Sequence, residues 1–276
     1  MAFYILNKEK GITSNDLVIK LKKKLNIKSI GHSGTLDPFA EGIIILATEG
    51  EKKLLSRFLE ERKTYSGKIY FGKTTDTLDP TGKITEEKEI KDLDENILKE
   101  IIEKDFLGKI IQTPPIYSAK KINGKKAYEY ARESKEISLK EGEKEIYSFS
   151  IKKESNNTFS FLIEVSSGTY IRKIAYDLGQ KLNIPSMLLE LKREKIGNVS
   201  LENAQNIEEN LKAYSSNELL NFRILNVSKE MIKKVLEGKE VDIPLTEKEI
   251  IVKNENIEVL LKKVKKDIYK LEKRLK

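Results

Sequence analysis

A glycine-rich loop that runs directly into an apolar segment is the strongest constraint on how this chain can fold. The loop reads GHSGTLDPFAEG, from Gly31 to Gly42, and the segment IIILAT follows it. A short apolar run of this kind is typical of a strand that is buried on both faces. The glycines and the Asp37-Pro38 pair permit a tight, irregular backbone path. The sequence therefore predicts a loop that presents the Asp37 carboxylate beside a buried strand.

The segments around this loop predict an α+β protein. Helices are predicted over residues 13–27, 92–107 and about 168–185, and strands over residues 65–71, 146–152 and 158–166. The first helix follows good N-cap residues and carries leucines at helical spacing among lysines. Helices and strands alternate without a regular βαβ rhythm and without internal repeats. The pattern therefore favours a sheet of the α+β type over a doubly wound fold.

The C-terminal part of the chain predicts a second, smaller unit. A polar stretch at residues 215–228 marks the junction, and we place the boundary between residues 225 and 226. The run VSKEMIKKVLEGKEVDIP then predicts a helix followed by a glycine turn. Residues 260–275 fit either a helical stripe or a hairpin that turns at Lys266-Asp267. Periodicity alone does not decide between these two structures.

The absence of cysteine and the presence of one histidine, His32, narrow the chemistry. Disulfides, thiolate zinc sites, cysteine nucleophiles and iron–sulfur clusters are excluded, and so is a metal site made of several histidines. A Ser-His-Asp triad would have to use His32. The remaining candidates are carboxylate, Arg, Lys, Tyr and backbone groups, so we expect neither a metal nor a cofactor.

The charge balance indicates a polyanionic partner but does not establish one. The chain has 52 Lys and Arg against 44 Asp and Glu, a formal net charge of +8. This excess suits a protein that binds nucleic acid, while a general bias toward Lys, Ile and Asn explains it equally well. The N-terminus lacks the pattern of a signal peptide, and no window approaches 18 apolar residues. We therefore expect a cytoplasmic protein that does not enter the membrane.

One motif points to a different function. The run GKIYFGKT, residues 67–74, satisfies the Walker A pattern of nucleotide-binding loops. Such a loop must curl between a strand and a helix, whereas the residues inside this match prefer a flat strand. A turn cluster, DTLDPTG, follows the match in place of a helix start. A P-loop NTPase is therefore a disfavoured alternative.

Five segments, taken together, resemble the TruB-type pseudouridine synthases. The first is GHSGTLDPFAEGIIILATEGEKKL, which is similar to the family's signature segment, and the other four are KTYSGKIYFGKTTDTLDPTG, QTPPIYSAKKINGKKAYEYAR, SSGTYIRKIAYDLGQKL and LKREKIG. They occur in the family's order within residues 2–200. The resemblance implies the pseudouridine synthase fold, a large and mainly antiparallel mixed sheet flanked by helices. It also implies a small PUA-like module, which we assign to residues 226–276.

The resemblance also implies a role for individual residues. Asp37 corresponds to the nucleophile, Arg172 to its partner, and Tyr65 to the aromatic neighbour of the target base. The remaining matched positions are expected to contact the substrate: His32, Lys53, Ser118, Lys121, Tyr170 and Leu191. Without the family context, an ordinary turn, a surface cation and a core tyrosine would explain the first three residues.

The activity implied by the resemblance is isomerisation of uridine 55 in the T arm of tRNA. The reaction breaks the bond between uracil N1 and ribose C1′ and rejoins the ring through C5, so it needs no redox or metal chemistry. The base must first leave its stem-loop, and an aromatic side chain can stack on it. We expect tRNA as the partner and a monomeric enzyme. An inactive RNA-binding protein of the same fold is the alternative, disfavoured because Asp37, Tyr65 and Arg172 are all present.

Overall fold

The chain folds into two compact units in the computed structural model, which describes residues 2–90, 92–118, 120–122, 124–133, 139–255 and 257–275. The larger unit comprises Tyr4–Leu46 and Leu54–Lys212. The smaller unit comprises Met1–Phe3, Ala47–Lys53 and Ala213–Lys276. The predicted boundary between residues 225 and 226 falls inside the smaller unit and stays a prediction.

The elements of the two units follow one another along the chain. The helices are α1 (Ser14–Leu25), α2 (Leu55–Glu60), α3 (Glu95–Asp105), α4 (Ala127–Arg132), α5 (Ile171–Lys181), α6 (Ser216–Leu220) and α7 (Lys229–Leu236). The strands up to residue 200 are β1 (Phe3–Lys8), β2 (Ile30–His32), β3 (Glu41–Thr48), β4 (Lys63–Phe71), β5 (Lys73–Thr75), β6 (Ile84–Glu87), β7 (Gly108–Gln112), β8 (Lys121–Ile122), β9 (Lys125–Lys126), β10 (Gly142–Lys153), β11 (Thr158–Val165), β12 (Ser186–Ile196) and β13 (Val199–Ser200). The later strands are β14 (Arg223–Asn226), β15 (Val241–Asp242), β16 (Glu249–Lys253), β17 (Glu258–Lys265) and β18 (Ile268–Arg274).

A large mixed sheet organises the larger unit. Its strand order is β1-β3-β12-β4-β11-β10-β7, with β2 beside β3 and β13 beside β12. The pairs from β12 to β7 are antiparallel, whereas β12 and β3 are parallel. The observed sheet confirms the predicted α+β class and its mainly antiparallel character.

Local sequence signals explain why the main elements form where they do. Thr13 caps α1 through a capping box with Asp16, and Asn26 ends the helix in a left-handed conformation. Strand β11 alternates buried and more accessible residues, as a sheet with one packed face requires. Helices α3 and α5 cover that face, and their apolar side chains join those of the strands in one core. This core supports the strand ends from which the site is built.

The Walker A match lies in extended structure. Residues 67–71 belong to β4, and Lys73–Thr75 forms β5, which pairs with β6. Strand β4 lies between β11 and β12 in the large sheet. A backbone committed to these strand pairs does not curl its N–H groups around a phosphate. The structure therefore rejects the P-loop alternative.

The smaller unit contains a sheet of its own, in the order β14-β16-β17-β18-β15. Ile232 and Val235 of α7 pack against its apolar face. Strands β17 and β18 form an antiparallel hairpin, with Asp267 at φ 56° in its turn. The hairpin alternative is therefore confirmed, and the helical stripe is wrong. The sheet with its opening helix is consistent with the predicted PUA-like module. No helix in the described ranges is long and apolar enough to span a membrane.

Gly42 provides a test of how closely β3 approaches β12. Its φ is +115°, and a Cβ at this position would lie 2.4 Å from the carbonyl oxygen of Arg193. Gly11 also has a positive φ, +87°, but no atom lies within 4 Å of its would-be Cβ. Gly11→Ala should lower the free energy of unfolding by about 1–2 kcal/mol through backbone strain alone. Gly42→Ala should lose about 1–3 kcal/mol more, because the methyl group overlaps backbone atoms.

Urea denaturation followed by circular dichroism measures both losses. Equal losses for Gly42→Ala and Gly11→Ala would show that the two strands separate readily, contrary to this description.

Candidate active site

Buried serine hydroxyls fix the loop that carries Asp37. The N–H of Leu36 donates to Ser14 Oγ at 2.9 Å, and the Ser14 hydroxyl donates back to the Leu36 carbonyl at 3.2 Å. Further along, the N–H of Ile45 donates to Ser33 Oγ at 3.1 Å. The start of α1 and strand β3 thus hold the loop from two sides. A loop tied in this way places the carboxylate at a defined position.

Arg172, on the first turn of α5, connects the loop to other parts of the chain. Its side chain is 5% exposed, and its Nε lies 2.9 Å from Asp37 Oδ2. Nη1 donates to the Thr77 carbonyl and Nη2 to the Tyr117 carbonyl, each at 2.7 Å. Nη1 also lies 3.3 Å from Asp79 Oδ2. Two carbonyls and two carboxylates therefore fix one guanidinium in place.

Asp79 is a site residue that the sequence analysis missed, because the segment DTLDPTG was interpreted as a turn cluster and its carboxylates were given no role. Its Oδ1 accepts hydrogen bonds from the Thr77 hydroxyl at 2.8 Å and from the Thr81 N–H at 3.0 Å. Leu78, immediately before it, has a φ of 62°, a conformation that is unfavourable for leucine. One signal was available in the sequence, since Asp79-Pro80 repeats the dipeptide that begins at Asp37.

The protonation of Asp37 is set by opposing effects. Burial raises the pKa of this carboxyl above its ordinary value of 3.8, and the nearby Asp79 raises the pKa further. The Arg172 guanidinium lowers the pKa, but the net direction is upward. About a third of the side-chain surface, 35%, stays accessible. One cation shared by two carboxylates offsets only part of their negative charge.

A cavity of about 390 Å³ opens in front of Asp37. This volume lies in the range typical of sites for small molecules. The elements that line it come from distant parts of the larger unit, namely residues 33–37, Leu59, Lys63, Tyr65, Ser118, Lys120, residues 166–172, Leu191 and Arg193. The cavity is therefore a product of the sheet topology and not of one sequence segment.

The structure brings most of the predicted site residues to this cavity. Those that line it are Asp37, Tyr65, Ser118, Tyr170, Arg172 and Leu191. His32 lies in β2, where its Nδ1 accepts a hydrogen bond from the Gly34 N–H at 3.3 Å, and it does not line the cavity. Lys53 belongs to the smaller unit. Lys121 begins β8, but its side chain lies outside the described residues.

Two further contacts shape the cavity wall. The Gln112 side chain bonds the backbone of Tyr170 twice, accepting from its N–H at 2.9 Å and donating to its carbonyl at 3.1 Å. This pair fixes the residue that precedes α5. Ser118 is 4% exposed, and no group in the described part of the chain hydrogen-bonds its Oγ. This hydroxyl is therefore available as a polar group at the cavity wall.

Buried cations near the site were also missed from sequence. Arg193 and Lys63 line the cavity, and Lys8 is close enough for its charge to interact with that of Asp37. Burial lowers the pKa of Lys8 and of Lys63 to about 8 each. Both ammonium groups donate to backbone carbonyls. The described residues contain no group of three or more His, Asp or Glu side chains arranged to hold a metal ion.

Comparison with known proteins yields matches along most of the chain. Residues 22–171 match the profile described as TruB family pseudouridylate synthase (N terminal domain). The chain is 44% identical over 206 residues to tRNA pseudouridine synthase B of Thermosipho melanesiensis, covering 75% of this chain and 67% of that protein. It is 37% identical over 262 residues to the Mesoplasma florum protein of the same name, and the match covers 93% of this chain and 91% of that protein.

Solved structures share the fold. The chain superposes on one from a crystal structure of a Cbf5-Nop10-Gar1 complex with a TM-score of 0.68 and 18% identity, covering 100% of this chain and 85% of the other. A chain from an archaeal box H/ACA sRNP Nop10-Cbf5 complex gives a TM-score of 0.66 at 17% identity. This match covers 100% of the present chain and 86% of the other. At these identities the similarity supports the architecture alone.

The charges around Asp37 predict opposite pKa shifts for two substitutions. Asp79→Asn removes a neighbouring negative charge and should lower the pKa of Asp37. Arg172→Gln removes the compensating cation and should raise it. A ¹³C NMR titration of protein labelled at the aspartate carboxyl carbon measures both shifts, with Asp37→Asn to assign the signal. Shifts in the same direction would contradict the described electrostatics.

Proposed function

Because the chain belongs to the TruB family of pseudouridylate synthases, we propose that it acts on uridine 55 in the T arm of tRNA, with Asp37 as nucleophile and without a cofactor. The coarser activity follows from the relatives: the chain is a tRNA pseudouridine synthase, an isomerase. The observation that carries the finer proposal is the placement of Asp37 in a cavity, paired with Arg172 at 2.9 Å.

The reaction needs a carboxylate and an enclosed space. The bond between N1 and C1′ breaks, the uracil turns, and C5 joins C1′ while a proton leaves C5 and another is taken up at N1. No electron enters or leaves the substrate, so side chains alone suffice for the chemistry. Asp37 supplies the carboxylate, and the cavity of about 390 Å³ gives the detached ring room to turn while protein surrounds it. Attack on C1′, addition to the base and removal of a ribose proton are all open to this carboxylate.

Arg172 keeps Asp37 in the form that reacts. Burial favours the neutral acid and raises the pKa of Asp37, whereas the nucleophile must be ionised. The guanidinium opposes this effect, and its bonds to the Thr77 and Tyr117 carbonyls prevent it from swinging away. Arg172 therefore opposes the effect of burial and favours the carboxylate form of Asp37.

The other cavity residues suit a flipped pyrimidine. A uridine must leave its stack to reach Asp37, and an aromatic contact offsets part of that cost. We assign this contact to Tyr65, with Leu191 as an apolar wall and Tyr170 as a further neighbour. The Ser118 hydroxyl, which has no hydrogen-bond partner among the described residues, is suited to a polar group of the nucleotide.

The remaining predicted residues and the partner complete the proposal. His32 lies on the loop that bears Asp37, and we assign it, with Lys53 and Lys121, to contacts with the RNA outside the cavity. The net charge of +8 favours binding to the phosphate backbone. We further propose that the protein acts as a monomer in the cytoplasm.

Substitution of the nucleophile tests the mechanism. Asp37→Asn keeps the size of the side chain but removes its negative charge, so it should abolish tritium release from tRNA labelled at uridine C5. Affinity for tRNA should stay within about threefold, because backbone contacts dominate binding. Asp92→Asn, at a side chain that is 65% exposed, is the matched control and should retain the wild-type rate. Retention of more than about 1% of the activity by Asp37→Asn would exclude the assignment.

A minimal RNA tests the position and the absence of a cofactor. A T-arm stem-loop labelled at uridine 55 should release tritium, whereas an anticodon stem-loop of equal length should not. EDTA should leave the rate unchanged, since no metal takes part in the proposed chemistry. Release from both stem-loops would show that the enzyme does not select the T arm.

A further inference from the structure

Arg193 lines the cavity from a central strand of the large sheet. It lies on β12, which pairs with β4 on one side and with β3 on the other. Its register partners are Tyr65 on β4 and Gly42 on β3. The residue is 2% exposed and is among the largest buried side chains of the described chain. One long cationic side chain therefore lies between the strand of Tyr65 and the strand that follows the Asp37 loop.

The Arg193 guanidinium contacts strand β3 and the loop before it. Nε donates to the Ile43 carbonyl at 2.8 Å, and Nη2 donates to the Gly34 carbonyl at 3.3 Å. Tyr65, the register partner of Arg193 on the antiparallel strand β4, lines the same cavity. Side chains that lie directly opposite each other in an antiparallel pair share one face of the sheet, with their Cβ atoms about 5 Å apart. The guanidinium thus joins strand β3 to the loop, and it does so beside Tyr65.

The cost of this arrangement indicates a role beyond packing. No salt bridge joins Arg193 to a carboxylate within the described residues, and burial lowers the pKa of its guanidinium. The interaction that most opposes this effect is with Tyr65. A buried cation without an acidic partner is unfavourable, and an apolar side chain of similar volume would fill the space at lower cost. The specific geometry of the guanidinium is therefore what the site uses.

We propose that Arg193 is a positioning residue that holds the Tyr65 side chain and the Asp37-bearing loop in fixed register with each other. The inference rests on the proposed function, because register matters only if Tyr65 contacts the base on which Asp37 acts. Misplacement of reacting groups by about 1 Å typically costs about 100-fold in rate. A lysine at position 193 has a single nitrogen and does not reproduce hydrogen bonds that two separate nitrogens donate.

A double-mutant cycle isolates the contact between Arg193 and Tyr65. Tyr65→Phe keeps the ring and removes the hydroxyl. Arg193→Lys keeps the positive charge and removes the planar guanidinium with its several N–H donors. Each substitution should lower the single-turnover rate by about 10- to 100-fold, with tRNA affinity changed less than about threefold. In the double variant the loss should be smaller than the product of the single losses by at least about threefold, as expected for groups in contact.

Lys8→Met provides the matched control for loss of a buried cation. Lys8 is 0% exposed, and its ammonium group donates to the carbonyls of Glu9 and Ile12. Lys8→Met should lower the melting temperature. The rate loss of the double variant Lys8→Met/Tyr65→Phe should equal the product of the two single losses. Multiplicative losses for Arg193→Lys and Tyr65→Phe would instead overturn the proposal, since they would show that the two residues act independently.

Two outcomes remain informative if the Arg193 variant does not fold. Tyr65→Phe retains the apolar packing of the ring, and a rate within about twofold of wild type would overturn the proposal, because the hydroxyl contact would then be dispensable. A loss of about tenfold or more at an unchanged melting temperature supports it. The wild-type protein is assayed in parallel, and its inactivity toward tRNA would refute the proposed function. If the wild type is active but the losses of Arg193→Lys and Tyr65→Phe multiply, only this inference is refuted.

Discussion

The arrangement of the site depends on one guanidinium shared by two carboxylates. Arg172 lies 2.9 Å from an oxygen of Asp37 and 3.3 Å from an oxygen of Asp79, and it also donates to the carbonyls of Thr77 and Tyr117. These contacts connect the glycine-rich loop, the turn after β5, the segment after β7 and helix α5. Breaking such a buried network leaves an uncompensated charge, so its members are held in place together.

The sheet makes this convergence possible. Strand β12 runs parallel to β3 and antiparallel to β4, so the loop before β3 and the start of β4 meet beside β12. The close approach needs Gly42, because a Cβ there would overlap the backbone of Arg193. Arg193 then hydrogen-bonds Ile43 of β3 and Gly34 of the loop through its side chain. Arg172 thus lines the cavity from helix α5, and Arg193 lines it from strand β12.

Sequence patterns predicted the elements well and the site in part. The helix capped by Thr13, the buried strand after Gly42 and the alternating strand β11 were found because their signals lie within a few residues of one another. Asp37 and Arg172 were paired on the strength of family motifs, and the structure places them in contact. Asp79 was overlooked, since a carboxylate in a turn cluster looks the same in sequence whether it faces solvent or a buried arginine.

The sequence by itself determined the chemistry available to this protein. It contains no cysteine and a single histidine, and it presents Asp37 in a loop that only glycines permit. Tertiary structure decided what surrounds that carboxylate. Tyr65 precedes Arg172 and Arg193 by more than a hundred residues. Only strand register and helix packing bring the three side chains to one cavity, where Arg172 contacts Asp37 and Arg193 contacts Gly34. The C-terminal hairpin was settled in the same way, because its apolar spacing suits helix and strand alike until neighbouring strands β15 and β16 pair with it.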